Sequence, residues 1–153
     1  MALDLRKLQW RHPRVHCVSG DVTHLEFADD SFDLVVCTEV LEHICPHRLA
    51  AACSDLERVT RQYLLVGVPF LQDIRVGRTT CDKCGFRNPP WGHVNAFDAP
   101  RLLAMFSRSL AMAQMSYVGT TQETNCSTAC VRVKRTTCRC NSQAPPPSSS
   151  DAV

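Results

Sequence analysis

Apolar positions fall into short runs separated by polar turns, and the two kinds of run have different periods. Val15 to Ser19 is a brief β-leaning stretch closed by the turn Gly20-Asp21. After the polar turn Asp29-Asp30-Ser31 comes FDLVVC, in which Leu34, Val35, Val36 and Cys37 are continuously apolar. That pattern predicts a strand covered on both faces, as in a parallel sheet. From Pro46 to about Gln62 the period changes: Leu49, Cys53, Leu56 and Val59 form one stripe, with Arg48, Asp55, Glu57 and Arg58 opposite. A helix opened by Pro46 follows from this spacing. YLLVGVPF then reads as a second covered strand stopped by Pro69, completing a strand, helix and strand in the order of a parallel crossover.

Beyond Pro69 the periodicity lapses until Asp98-Ala-Pro, an N-cap with proline behind it, whose helix buries Leu102, Leu103 and Phe106. The irregular segment 70–98 is longer than an ordinary connector, which marks it as a functional or mobile insert. Alternation at Met115 and Tyr117, and at Val131 and Val133, predicts two closing strands over 113–119 and 129–134, antiparallel to one another. Residues 138–153, ending in the Pro/Ser-rich APPPSSSDAV, are read as a disordered tail behind a domain spanning 1–137.

Composition narrows the class. With 153 residues, 44% hydrophobic, the chain can bury one core. A net charge of +2 gives no field that would recruit nucleic acid or an acidic membrane. No apolar run reaches the roughly 20 residues of a membrane span, and MALDLRKLQWRHPRVH has no secretory apolar middle, so the cytoplasm is the expected location. Of ten cysteines, Cys17, Cys37 and Cys53 sit in apolar patterns, Cys81 and Cys84 form a C-x-x-C pair, and Cys126, Cys130, Cys138 and Cys140 cluster near the end. A secreted disulfide scaffold is the minor alternative.

The stretch GDVTHLEFADDSFDLVVCTEVLEHI, followed by YLLVGVPF, resembles the middle of a class I S-adenosylmethionine-dependent methyltransferase of the small-molecule type 11 kind, a likeness running from Val15 to Gly119. The resemblance implies a partial Rossmann-like α/β fold, mostly parallel, with ligands beyond the carboxyl ends of the strands. It places Asp21 and the Val22 backbone beside the adenine, and Cys37, Thr38 and Glu39 under the cofactor. The plain alternative for Asp21 is a turn aspartate capping its own backbone. His43, one turn beyond the strand, is the candidate general base, or else a packing histidine at a helix start.

The departure from the family is its glycine-rich cradle: no E/D-x-G-x-G-x-G occurs. ALDL at residues 2 to 5 can stand for the family's second strand, which would give Asp4 the ribose role, although seventeen positions to Asp21 leave little room for a helix. In the family the second and first strands lie between those at Val15 and Phe32 here. The expectation is therefore a Val15 strand without neighbours, each buried unpaired group costing about 1–3 kcal/mol, and a shortened product, a self-associating chain, or one completed by a partner chain.

The insert carries TTCDKCGFRNPPWGHVNAFD. Cys81 and Cys84 form a zinc-knuckle turn and His93 supplies a third zinc ligand, with Asp98 or one of the late cysteines as a fourth. The alternative is a turn with two free thiols. A similar C-x-x-C-G…W-G-H…F-D insert occurs in some type 11 methyltransferases. Phe86, Trp91 and Phe97 either line an acceptor pocket or make a satellite core. Cys138-Arg-Cys140 with Arg132, Lys134, Arg135 and Arg139 reads as a solvated basic strand end. The function implied is methyl transfer to a small-molecule acceptor. The alternatives are a non-catalytic zinc-binding interaction module and a gene fragment.

Overall fold

A computed structural model describes residues 1–6, 11–106, 110–118 and, for the backbone alone, 127–135. Two parallel strand pairs, in separate sheets, open the fold. β1 (Ala2–Asp4) pairs with β2 (Cys17–Ser19), Asp4 opposite Ser19. β3 (Phe32–Thr38) pairs with β4 (Thr60–Phe70) through the helix α1 (Pro46–Val59), the crossover expected from the apolar pattern.

The α1 stripe packs as its period requires, with Leu49, Cys53, Leu56 and Val59 all buried. Leu49, Cys53 and Leu56 join Cys37, Leu41, Leu64, Val66, Val68, Phe97, Leu102 and Phe106 in one core. The opposite face of α1 is more than a solvated surface. Arg58 donates to the carbonyls of Leu25 (2.7 Å) and Phe27 (2.6 Å) and to Asp55 (3.0 Å), while Asp55 accepts the Leu25 N–H at 2.6 Å. These two side chains clamp the loop before β3 onto the helix.

Three strand expectations change. The second strand is shorter than Val15 to Ser19, and it is not isolated: β1 supplies a ladder along one of its edges. β3, the end strand of the sheet β3-β4-β8-β7, is covered on one face only: Leu34 and Val36, which share the other face, are each 56% exposed. β4 runs through Pro69 instead of stopping there. β3 ends at Thr38 opposite Gly67, so at Pro69 there is no ladder on that side for a missing N–H to break.

The sheet closes with β7 (Leu110–Val118) and β8 (Ser127–Arg135), both antiparallel to their neighbours. The insert holds a small hairpin, β5 (Thr79–Thr80) with β6 (Arg87–Asn88), followed by α2 (Ala99–Met105). Asp98 caps α2 by accepting the Arg101 N–H at 2.7 Å, as the Asp-Ala-Pro sequence requires. Among the described residues no helix is long and apolar enough to cross a membrane. Residues 138–153 with Cys138 and Cys140, as well as Cys126, lie outside the described residues, as does the side chain of Cys130.

Candidate active site at the carboxyl ends of the strands

β1, β2 and β3 present Asp4, Gly20-Asp21 and Thr38-Glu39 at their carboxyl ends. Asp4 is exposed, and its carbonyl accepts the Gly20 N–H at 2.9 Å, which joins the first two of these ends. Asp21 makes the local turn: its Oδ1 accepts the Thr23 N–H (2.9 Å) and hydroxyl (2.8 Å). Its Oδ2 accepts from Arg48 at 2.8 Å. The Thr23 backbone and hydroxyl, and after them Arg48, hold its carboxyl below the usual range against a small opposing effect of burial. Asp21 is thus an ionised acid, with its side chain 34% exposed.

Val22 packs against the core. Cys37 is buried too, and burial, reinforced by Cys53 and Glu42, pushes its thiol up to about 12. Its side chain belongs to the core, leaving Thr38 and Glu39 as the exposed groups of that strand end. Glu39 adopts a left-handed conformation (φ 55°) and gives its N–H to the Gly67 carbonyl at 2.9 Å. A non-glycine residue in that region carries strain of order 1–3 kcal/mol.

A single-turn 3-10 helix, Leu41–His43, follows. The insert returns to cover it: Val94 and Asn95 donate their N–H groups to the Glu42 carbonyl at 2.8 and 3.1 Å. The Asn95 side chain adds bonds to the carbonyls of Leu41 (3.0 Å) and Ile44 (2.6 Å). The strap lays the His93 ring against His43, edge to face, with centroids 4.6 Å apart. His93 is buried and its Nδ1 pairs with Gln72 Oε1, while His43 is exposed.

Beneath them lies Glu42, fully buried, with no hydrogen-bond partner for either carboxylate oxygen. Burial lifts its carboxyl to about 7 and the neighbouring Glu39 charge adds to the rise. His93 moves down, through burial first and His43 second. Ligand atoms of Glu42, His43 and His93 all lie within 4.8 Å of one another. A carboxylate and two imidazoles at that separation can share a proton or a cation.

The knuckle residues are elsewhere in this arrangement. Cys81 and Cys84 sit on the β5–β6 turn, where Gly85 donates to the Cys81 carbonyl at 2.8 Å and Cys81 donates to the Phe86 carbonyl at 2.8 Å. Backbone N–H groups of Lys83 and Cys84 lower the Cys81 thiol. Among the described residues, the structure gathers His93 with Glu42 and His43 and not with the two cysteines. Phe97 joins the main core, whereas Phe86 and Trp91 are exposed. A groove of about 430 Å³ opens beside them, lined by Ile74, Arg78, Phe86, Arg87, Val94 and His93.

Sequence reasoning passed over Glu42, Gln72 and Asn95. The signal for Glu42 was a lone acid inside the apolar context Val40, Leu41 and Ile44, which predicts a buried carboxylate. Gln72 and Asn95 had no local signal.

Residues 1–63 match the family model described as a methyltransferase domain. No curated protein matches the chain. Solved structures do, at low identity. A S-adenosylmethionine-dependent methyltransferase from Methanosarcina mazei is similar with a TM-score of 0.61 at 14% identity, over 83% of this chain and 70% of that one. The 1,6-didemethyltoxoflavin-N1-methyltransferase of Burkholderia thailandensis, with 1,6-didemethyltoxoflavin and S-adenosylhomocysteine bound, gives 0.64 at 16%, over 88% of this chain and 60% of that one. The cyclase SpnF gives 0.60 at 13%, over 80% and 56%. The chain thus spans 60% of the length of the Burkholderia enzyme. Residues 1–63 are thus similar in sequence to a methyltransferase domain, and the described chain shares the fold of S-adenosylmethionine-dependent methyltransferases.

Proposed function

We propose that the chain binds S-adenosylmethionine across the carboxyl ends of β1, β2 and β3 and directs methyl transfer to a small-molecule acceptor. The observation that carries this reading is the adjacency of Asp4 and Asp21 on neighbouring parallel strands, joined by the bond from Gly20 to Asp4. Ligands of open parallel sheets bind at such ends.

The donor set suits the adenosine end of the cofactor. Asp4 would take the ribose hydroxyls, and Asp21 with the Val22 backbone the adenine edge; a carboxylate oxygen already bonded to Arg48 still has a free lone pair. Thr38 and Glu39 would lie under the cofactor. For its methionine end the sequence offers no glycine-rich cradle. When bound, the cofactor supplies an electrophilic methyl group. The chain's task is to orient the acceptor and exclude water, and an imidazole nitrogen of the exposed His43 would receive the acceptor's proton.

The Cys81 and Cys84 turn remains a candidate zinc knuckle, supported by the backbone N–H groups that favour a Cys81 thiolate. That feature does not favour an interaction module or a gene fragment over methyl transfer. The cyclase neighbour has the same fold, so activity must be measured. Calorimetric titration with S-adenosylhomocysteine is expected to show binding that Asp21→Asn weakens by about tenfold, a loss of roughly 1.4 kcal/mol. No heat at millimolar ligand, in a sample folded by circular dichroism, would sink the proposal.

A further inference from the structure

We propose that Glu42, His43 and His93 hold a divalent transition-metal ion, bridging the turn after β3 and the strap of the insert. The site is distinct from the cysteine knuckle and stands whether or not the chain transfers methyl groups; with an ion bound, His43 is a ligand and not the base of that reaction.

The geometry is near what a metal needs. Two ligands on one tetrahedral ion, at bond lengths of about 2.0–2.2 Å, are roughly 3.3–3.6 Å apart. All three donors lie within 4.8 Å of one another, so small side-chain rotations bring them onto a common centre. One imidazole is already oriented. With Gln72 Oε1 as the acceptor, His93 Nδ1 is the nitrogen that donates, and in that tautomer Nε2 keeps its lone pair for an ion. An outer carbonyl that sets the tautomer in this way is the usual support of a metal-bound histidine.

The second observation is Glu42 itself. It is wholly buried with neither oxygen paired to a neighbouring donor, so its ionised form would gain from a cation the compensation that the surrounding side chains do not give. Glu39, held in its left-handed conformation at the strand end, adds negative charge beside the cluster. Mixed imidazole and carboxylate donors suit zinc, manganese or iron(II) better than calcium. Three protein ligands leave coordination open for an outside group. His93 borders the groove, so an acceptor oxygen bound there would meet the ion.

Zinc uptake separates this site from the knuckle. In the Cys81→Ser/Cys84→Ser double variant, stripped by chelation and titrated calorimetrically with zinc alone, one equivalent is expected to bind. Adding His43→Ala, a change at an exposed residue, is expected to weaken that uptake by more than about tenfold, the loss already caused by removing an outer partner. Glu42→Gln, nearly isosteric, is expected to do the same, and cobalt(II) in the double variant should give visible d–d absorption that both changes abolish. Failure of the double variant to take up zinc, or uptake unaltered by His43→Ala and Glu42→Gln, overturns the proposal. Cofactor binding plays no part in this readout, so its outcome is separate from that of the methyl-transfer test.

Discussion

The side-chain amide of Asn95 donates to the carbonyl of Ile44 at 2.6 Å, closing a contact between the insert and the turn after β3 across 51 positions. The same nitrogen reaches the Leu41 carbonyl, and the residue is 2% exposed. Asn95→Ala would leave buried carbonyls unpaired and is expected to cost about 1–3 kcal/mol in urea unfolding. Faster amide exchange at Val94 and Asn95 should accompany it. A stability change within about 0.5 kcal/mol, as for an ordinary surface change, would show that the strap is not held by this residue.

Acid is expected to weaken the clamp between α1 and the loop before β3. Burial draws the Asp55 pKa up, but hydrogen bonds from Arg58 and the Leu25 N–H, with the charges of Arg58 and His24, outweigh it and leave the carboxyl below its ordinary value. A depressed folded-state pKa contributes stability above the unfolded value near about 3.9, and that contribution is lost as pH falls through the folded one. The urea midpoint of Asp55→Asn should therefore drop less than that of the native chain between neutral pH and about pH 3. Parallel decline of the two would assign the acid loss to other carboxyls.

Thiol labelling should divide the cysteines by depth. Cys37 and Cys53 are buried and pushed up to about 12, by burial foremost. Iodoacetamide requires the thiolate, so at mildly alkaline pH the native chain should be modified at the exposed Cys45 and Cys84 and not at Cys37 or Cys53. Denaturation should release both. Peptide mass mapping that found Cys53 labelled as fast as Cys84 in the native chain would contradict the packing of α1.

The two faces of the central sheet predict unequal costs. Leu64 on β4 has no exposed surface, so Leu64→Ala should lose about 2–5 kcal/mol. Leu34 on β3 is 56% exposed, and Leu34→Ala should change stability by no more than about 0.5 kcal/mol. Equal losses in denaturant titration would mean that β3 is covered in solution.

Much of the scaffold was legible because its signals are local. The stripe of α1 repeats at helical spacing over fourteen residues, and Asp98-Ala-Pro contains its own cap and first turn. β1 was harder, since three residues are too few for a period and its partner β2 is equally short. The covering of β3 was misread because continuous apolar residues imply two covered faces only where strands and helices pack on both sides. Pro69 reads as a stop until the neighbouring strand is known to have ended at Thr38.

The candidate site divides along the same line. The carboxyl-end residues Asp21, Thr38 and Glu39 could be named from sequence, because strand patterns locate their own ends and parallel sheets place ligands there. The grouping of His93 could not. Its spacing from Cys81 and Cys84 pointed to a local knuckle, while the strap held by Asn95 carries it to Glu42 and His43 instead. Sequence alone determined the order of elements and the strand ends, which depend on residues a few positions apart. Tertiary structure decided which distant side chains share a pocket, because that depends on how the insert 70–98 closes over a buried carboxylate, and no periodic pattern encodes such a closure.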